Sequence, residues 1–353
     1  MKRKIYLDNL RWFVVILVLI YHVCYIFNWV WIFWGIPNAK NIEFFDGFMY
    51  IVYPWFMVLL FVVAGMSARY SLQKRSNKEF LKERVTKLLV PSTLWLFVLH
   101  WISGYINIKM WLWLSQIPTF LIYPISALSW IWPLWFIQML FIFSVAIVLL
   151  KKSDKSDFLW KLLWKSDVFV IFLLFFVIWW GAQIWNMPVV TTYRFGIYFV
   201  AFLIGYYIFS HEKVEKILEK ISIPTSILAI ILSVFYVYFY FWKNFTESKI
   251  LQNFATNLYC WITVIAMIWI FKKYFNLENS FTKHMTKTSF GIYILHYFVL
   301  VIVWYVLVNY FDLPAIWNYF LAFVLIFAWT FGLLEIISKI PIIRYLVLGI
   351  KKK

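Results

Sequence analysis

The chain has 353 residues, 65% of them hydrophobic, 24% aromatic and only 14% charged, with a formal charge of +18. Soluble domains hold about 45–50% apolar and about 25% charged residues, so this composition excludes both a soluble globular protein and a disordered one. Lipid must be the solvent for most of the chain, whose length accommodates about ten helices of roughly 20 residues.

The N-terminal Met-Lys-Arg-Lys followed by an apolar run has the outline of a signal sequence. No small-residue cleavage pattern follows, so the run reads as an uncleaved first helix. Taken in order, the apolar stretches predict spans over residues 10–32, 48–68, 88–108, 130–150, 168–187, 193–210, 224–242, 254–272, 288–308 and 316–338. Stretches such as Val168–Trp180 and Ile227–Phe241 are apolar on every side. A transmembrane barrel, whose strands alternate apolar and polar residues, is therefore excluded. The expected fold is an all-α polytopic membrane protein formed as a single membrane-embedded domain over 1–353. The segment Lys109–Ser129 is apolar and Trp-rich but interrupted by Pro118 and Pro124. It reads as an interfacial or re-entrant piece on the outer face.

The basic residues fall in runs between spans, which argues for topology and against a nucleic-acid partner. With ten spans, 27 of the 33 Lys and Arg lie on the side of both termini. Five lie opposite, namely Lys40, Lys109, Arg194, Lys243 and Lys249, and Arg11 is inside the first span. The positive-inside rule then puts both termini in the cytoplasm. The two cysteines, Cys24 and Cys260, sit within spans. No Cys-x-x-Cys or metal-ligand spacing occurs, so neither a disulfide framework nor a metal site is expected.

Polar groups within spans are the informative minority, because they are costly in lipid and usually face the bundle interior. Arg11 and His22 are eleven positions apart in the first span, which places them about 20° apart on one helix face and roughly 16 Å apart along the axis. Asp8 lies near the same stripe. His296 falls near mid-bilayer in the ninth span, with Ser289 and Tyr293 on or close to its face, and His100 lies at similar depth in the third. Gln138 is inside the fourth span. Glu335 is near the inner end of the tenth and is expected to pair with a basic residue. Glu43 and Asp46 precede the second span and read as solvated loop charges that could also touch an acceptor. Arg194 opens the sixth span, as an anchor or a binder of an anionic acceptor or headgroup.

These residues resemble the integral-membrane family called acyltransferase type 3. The resemblance rests on Arg11-x10-His22 after Leu7-Asp8-Asn9-Leu10, on Phe61-Val62-Val63-Ala64-Gly65, and on Arg84-Val85-Thr86-Lys87 followed by Pro91. Pro133-Leu134-Trp135-Phe136 and Ser289-x-x-x-Tyr293-x-x-His296 complete it, so that it covers residues 5 to about 338. Lys87 stands where the family has a second Arg, which keeps the charge but loses the planar fork. Ala64 replaces a Ser. No extracytoplasmic domain of the kind some members carry is expected.

The resemblance implies transfer of an acyl group, acetyl or in some branches succinyl, from cytoplasmic acyl-CoA to an envelope carbohydrate or glycolipid in the bacterial cytoplasmic membrane. Acyl-CoA would be a co-substrate, with no tightly bound cofactor. The chemistry of the residues agrees. A hydroxyl attacking a thioester needs a base, and histidine suits it; cations must hold the phosphates of CoA or a developing oxyanion. The catalytic candidates are His22 and Arg11. Arg84 and Lys87 are the donor-binding candidates, and His296, Gln138, Ser289 and Tyr293 are candidates for the substrate. A polytopic transporter or flippase for an envelope precursor is the alternative, although the inverted repeats typical of such carriers are not evident.

Overall fold

The computed structural model describes residues 3–28, 41–110, 114–129, 134–154, 156–187 and 194–350. Lys40, Pro133, residues 29–32 of the first expected span, 130–132 of the fourth and 111–113 of the proline-interrupted segment lie outside the described residues, as does Thr192-Tyr193 before Arg194. The described chain is all helix apart from turns and an isolated antiparallel bridge between Asn186 and Arg194.

The helices are α1 (Ile5–Phe27), α2 (Glu43–Leu72), α3 (Asn77–Met110), α4 (Thr119–Ser129), α5 (Trp135–Ser153), α6 (Val168–Gly181), α7 (Phe195–Phe209) and α8 (Glu212–Lys220). They continue with α9 (Ser222–Tyr240), α10 (Phe254–Tyr274), α11 (Ser280–Tyr310), α12 (Ala315–Lys339) and α13 (Pro341–Leu348). Every expected span contains helix in its described part, although the fifth is helical only to Gly181 and residues 182–187 form a turn. Among the described residues, eight helices are long and apolar enough to cross a membrane. A ninth arises if α7 and α8, bent by 100° at their junction, form one broken span. Two shorter apolar helices remain: α4, of 11 residues, and α6, of 14; at 1.5 Å per residue even α6 is only about 21 Å long, shorter than the hydrocarbon core. The chain is an all-α, multi-pass membrane protein.

Two compact units divide it: Met1–Val14, Met49–Leu81 and Ile142–Thr286 form one, while Val15–Phe48, Lys82–Phe141 and Lys287–Lys353 form the other. In the first unit, α2 and α7 cross at backbone contact. A Cβ at Gly65 would run into the Phe202 carbonyl, and one at Gly205 would run into the Val62 carbonyl. The Phe61–Gly65 run therefore has a packing reason of the kind common between membrane helices. Nearer the end of α2, buried Arg69 grips Asp157 through two bonds of 2.8 and 3.1 Å. Its guanidinium also lies 4.5 Å from the centre of the Trp160 ring, which stacks on His211 at 4.1 Å. The start of α1 is tied down by Glu215, which accepts from Lys4 and Tyr6 at 2.9 and 3.0 Å and pairs with Lys272 at 3.5 Å. Asn9 adds bonds to the carbonyls of Phe275 and Leu277.

In the second unit, α3 is irregular for a chemical reason. Pro91 has no N–H to close an α-turn, and the helix widens into a π turn over Val85–Leu89 and again over Leu96–His100. Its last turns hold α4, which carries Pro124, with Tyr123 donating to the Phe97 carbonyl at 2.8 Å. The C-terminal α13 ends at Gly349, a left-handed residue (φ 62°) seated on the Thr86 carbonyl.

Candidate functional site

Helix α1 is unbroken from Ile5 to Phe27, so it carries both Arg11 and His22 as expected. Arg11 belongs to the first unit, where Nη1 donates to Asp8 at 3.0 Å and Nη2 to the Ser67 hydroxyl at 2.8 Å. Ser67 in turn donates to the Val63 carbonyl, so the end of α2 fixes the fork of Arg11. The other seven expected site residues lie in the second unit.

There, α1 and α11 bring His22 and His296 together: Nε2 of His296 is 3.3 Å from Nδ1 of His22. His22 Nδ1 is also 2.7 Å from the Val18 carbonyl, and His296 Nδ1 is 2.7 Å from the Tyr293 carbonyl. A carbonyl can only accept, so the proton of each ring is assigned to Nδ1. His22 then shares its Nδ1–H between Val18 and His296, and its basic lone pair is on Nε2. Each imidazole is thus locked in one tautomer by a turn of its own helix. Both helices are apolar enough to span, and His296 is only 2% exposed.

Aromatic rings surround the pair. Tyr293 lies 5.8 Å from the His296 ring and meets Phe136 of α5 at 5.7 Å. Tyr297 stands edge-on to His22, with ring centroids 5.1 Å apart. Tyr21 and Tyr25 flank His22 from its own helix. Tyr297 is not among the candidates drawn from the sequence, although its i,i+4 relation to Tyr293 puts it on the histidine side of α11.

The remaining candidates take different positions. Ser289 is buried on α11, two turns before His296. Gln138 donates to the Ser92 carbonyl at 3.4 Å, beside the proline of α3. Arg84 is half-buried where α3 enters its first π turn. Lys87 is exposed and pairs with Glu83 at 2.6 Å. An exposed pair of this kind contributes under about 1 kcal/mol, so Glu83 holds Lys87 only weakly. His100 is fully buried, with its ring stacked 6.4 Å from that of Trp95. Glu335 pairs with Lys339 at 2.9 Å on the exposed face of α12, as expected.

Two readings need correction. Asp46 is not a solvated loop charge. Helix α2 begins at Glu43, five residues before the apolar run, and its first turn buries Asp46 to 1% exposure. Asn41 donates to the carboxylate at 3.0 Å and itself accepts from Tyr319 at 3.0 Å. Arg194 likewise is not a surface anchor, being 4% exposed.

The model of the acyltransferase-domain family named above matches residues 4–335, nearly the whole chain. The chain belongs to that family. No curated protein and no solved structure gives a match. On this match over nearly the whole chain, the protein is a membrane acyltransferase. The acyltransferase has its matched domain distributed over both compact units, since the match begins in α1 and ends within α12.

Proposed function

We propose that the acyltransferase moves an acyl group, acetyl in the simplest case, from acyl-CoA to a hydroxyl of an envelope carbohydrate or glycolipid in the bacterial cytoplasmic membrane. The observation that carries this reading is the His22–His296 pair, two imidazoles within 3.3 Å on apolar helices. Nε2 of His22 accepts the acceptor's hydroxyl proton as its oxygen attacks the thioester carbonyl. The tetrahedral adduct collapses with loss of the CoA thiolate, and the same proton passes from His22 to that sulfur. His296 holds the Nδ1–H tautomer of His22 and stabilises the imidazolium formed during the attack. Tyr293 and Ser289 belong to the same side of α11 and serve the acceptor, while Gln138 keeps its candidate role there.

Arg84 and Lys87 suit the donor's phosphates, because both are cations on the first turns of α3. Arg11, on the helix of His22, keeps the role of a fixed cation, with its fork preset by Asp8 and Ser67. Acyl-CoA is a co-substrate in this reading. The acceptor class is tested by mass analysis of acyl groups on envelope glycans, with and without the gene.

The mechanism is tested by His22→Gln. Glutamine still hydrogen-bonds but takes no proton at neutral pH. Acyl transfer by the purified variant should fall by about 10²–10⁴-fold with acyl-CoA binding retained. Near-normal transfer would remove His22 as the base and move that role to His296.

A further inference from the structure

In the first unit, the chain between α5 and α6 carries a short helix, Phe158–Leu163. One side of it is docked. Asp157, just before it, is gripped by Arg69 of α2, and the Trp160 ring lies beneath that guanidinium and on the His211 ring. The Trp160 indole N–H also donates to the Ser210 hydroxyl at 3.1 Å. Asp154 accepts from the N–H groups of Phe158 and Leu159 at 2.7 and 3.0 Å, and Asp167 accepts from Val170 at the start of α6. All three acids of this connection are therefore committed, one to Arg69 and two to backbone N–H groups.

The opposite side is open and apolar. At about 100° per residue, Phe158 and Leu162 both fall about 160° from Trp160. They are 61% and 49% exposed, and Leu159 beside them is 43% exposed. Lys152, Lys161 and Lys165 are exposed along the same connection. None of the three is in an ion pair among the described residues. Six residues, about 9 Å at 1.5 Å each, are far too few to cross a membrane. A helix that docks one side, shows apolar side chains on the other and is accompanied by unpaired lysines suits the plane of a membrane interface.

We infer that this segment is a surface anchor for anionic lipid. Phe158, Leu159 and Leu162 enter the boundary between head groups and acyl chains, and the three lysines meet head-group phosphates. Charge complementarity selects this partner: the acids nearby are used within the protein, so the charge left to face outward is positive. A neutral lipid surface satisfies only the apolar side. Through Asp157 and Trp160 the anchor holds the ends of α2 and α7 to the membrane surface.

The test places a bimane label on Leu162→Cys in the full-length protein, reconstituted into nanodiscs of phosphatidylcholine or phosphatidylglycerol. Cys24 and Cys260 are buried, so the label goes to the introduced thiol. Lipid with brominated acyl chains should quench the label more strongly than aqueous iodide does, and more strongly in phosphatidylglycerol than in phosphatidylcholine. Replacing Lys152, Lys161 and Lys165 together by Gln should remove the difference between the lipids and leave the melting midpoint nearly unchanged, as surface substitutions do. Stronger quenching by iodide overturns the inference, since the face is then in water. Equal quenching in the two lipids, or a difference that survives the triple replacement, overturns the selectivity for anionic lipid. Quenching by neither agent, with Leu162→Cys cross-linking two copies of the chain, overturns it in favour of a protein contact. Phe158→Cys repeats each measurement on the same face, so the result does not depend on the folding of one variant.

Discussion

Arg84 is the residue from which the donor reading is most directly checked. It sits half-buried where α3 widens, whereas Lys87 is exposed and shared with Glu83. A charged contact to a phosphate contributes about 1.5–3 kcal/mol, or roughly 10- to 100-fold. Arg84→Ala should therefore raise the apparent KM for acyl-CoA by that factor while changing the KM for acceptor little; steady-state kinetics with each substrate varied in turn decide it. Lys87→Ala should have the smaller effect, because its charge is already partly satisfied. At the same scale, Asp157 and His211 make stability depend on pH. The Arg69 guanidinium holds the Asp157 carboxyl below the usual carboxylate range. Burial lowers the His211 imidazole from its ordinary value. Both groups thus take up protons more readily when unfolded, so both contributions are present at neutral pH and lost on acidification. For His211 the loss begins below about pH 6.5, and for Asp157 below about pH 3.9, the ordinary values of the two groups. His211→Gln should flatten the first part of the decline in melting temperature. Asp157→Asn should be destabilised at pH 7 with a deficit that closes in acid. Part of the Asp157 side chain is open to water, so its share is screened.

Helix crossings give the next scale its test. Gly65 and Gly205 each face a backbone carbonyl, which cannot swing aside as a side-chain end can. Gly205→Ala should cost at least about 1–3 kcal/mol, the usual penalty of overpacking. Gly332, inside α12, has nothing within 4 Å of the place an alanine methyl would take, so Gly332→Ala should be neutral or stabilise by about 0.5–1 kcal/mol through helix propensity. In one detergent, the melting midpoint of Gly205→Ala should fall, whereas that of Gly332→Ala should hold or rise. Hydropathy makes the helices themselves legible, because in lipid an apolar run has few other ways to satisfy its backbone. It does not show where a run bends. The break between α7 and α8 falls at the polar Ser210-His211, where the expected span ends, but hydropathy does not show the 100° bend into a second helix there, and the brevity of α6 is hidden by the apolar turn after it. The two histidines are legible by depth and face, but their approach to 3.3 Å depends on which helices are neighbours, and periodicity carries no such information. Asp46 escapes for a related reason: an amphipathic first turn looks like a loop when only apolar length is counted.

For the molecule as a whole, the open quantity is sidedness. The bias of 27 basic residues to five predicts both termini inside. Cys24 and Cys260 are both buried, so the unaltered protein gives a low background to a membrane-impermeant thiol reagent. In intact cells, Ser115→Cys should be labelled and Ser156→Cys should not. The reverse pattern would mean that the segment before α5 crosses the membrane and that every later helix runs the other way.

The two π turns of α3 also affect how this helix tolerates change in length. Each such turn accommodates one residue more than an α-helix needs for the same rise. The helix therefore carries two spare residues, one over Val85–Leu89 and one over Leu96–His100. Removing one residue from the second turn would tighten it to ordinary pitch and leave all that precedes it in place. Residues Trp101 to Met110 would keep their faces, with Gly104 still against the Ser126 carbonyl. Removing one from the first turn would likewise leave Arg84 in register with Pro91 and the Trp95–His100 stack. The same deletion in an α-helical stretch of α3, which has no residue to spare, would turn everything after it by about 100°.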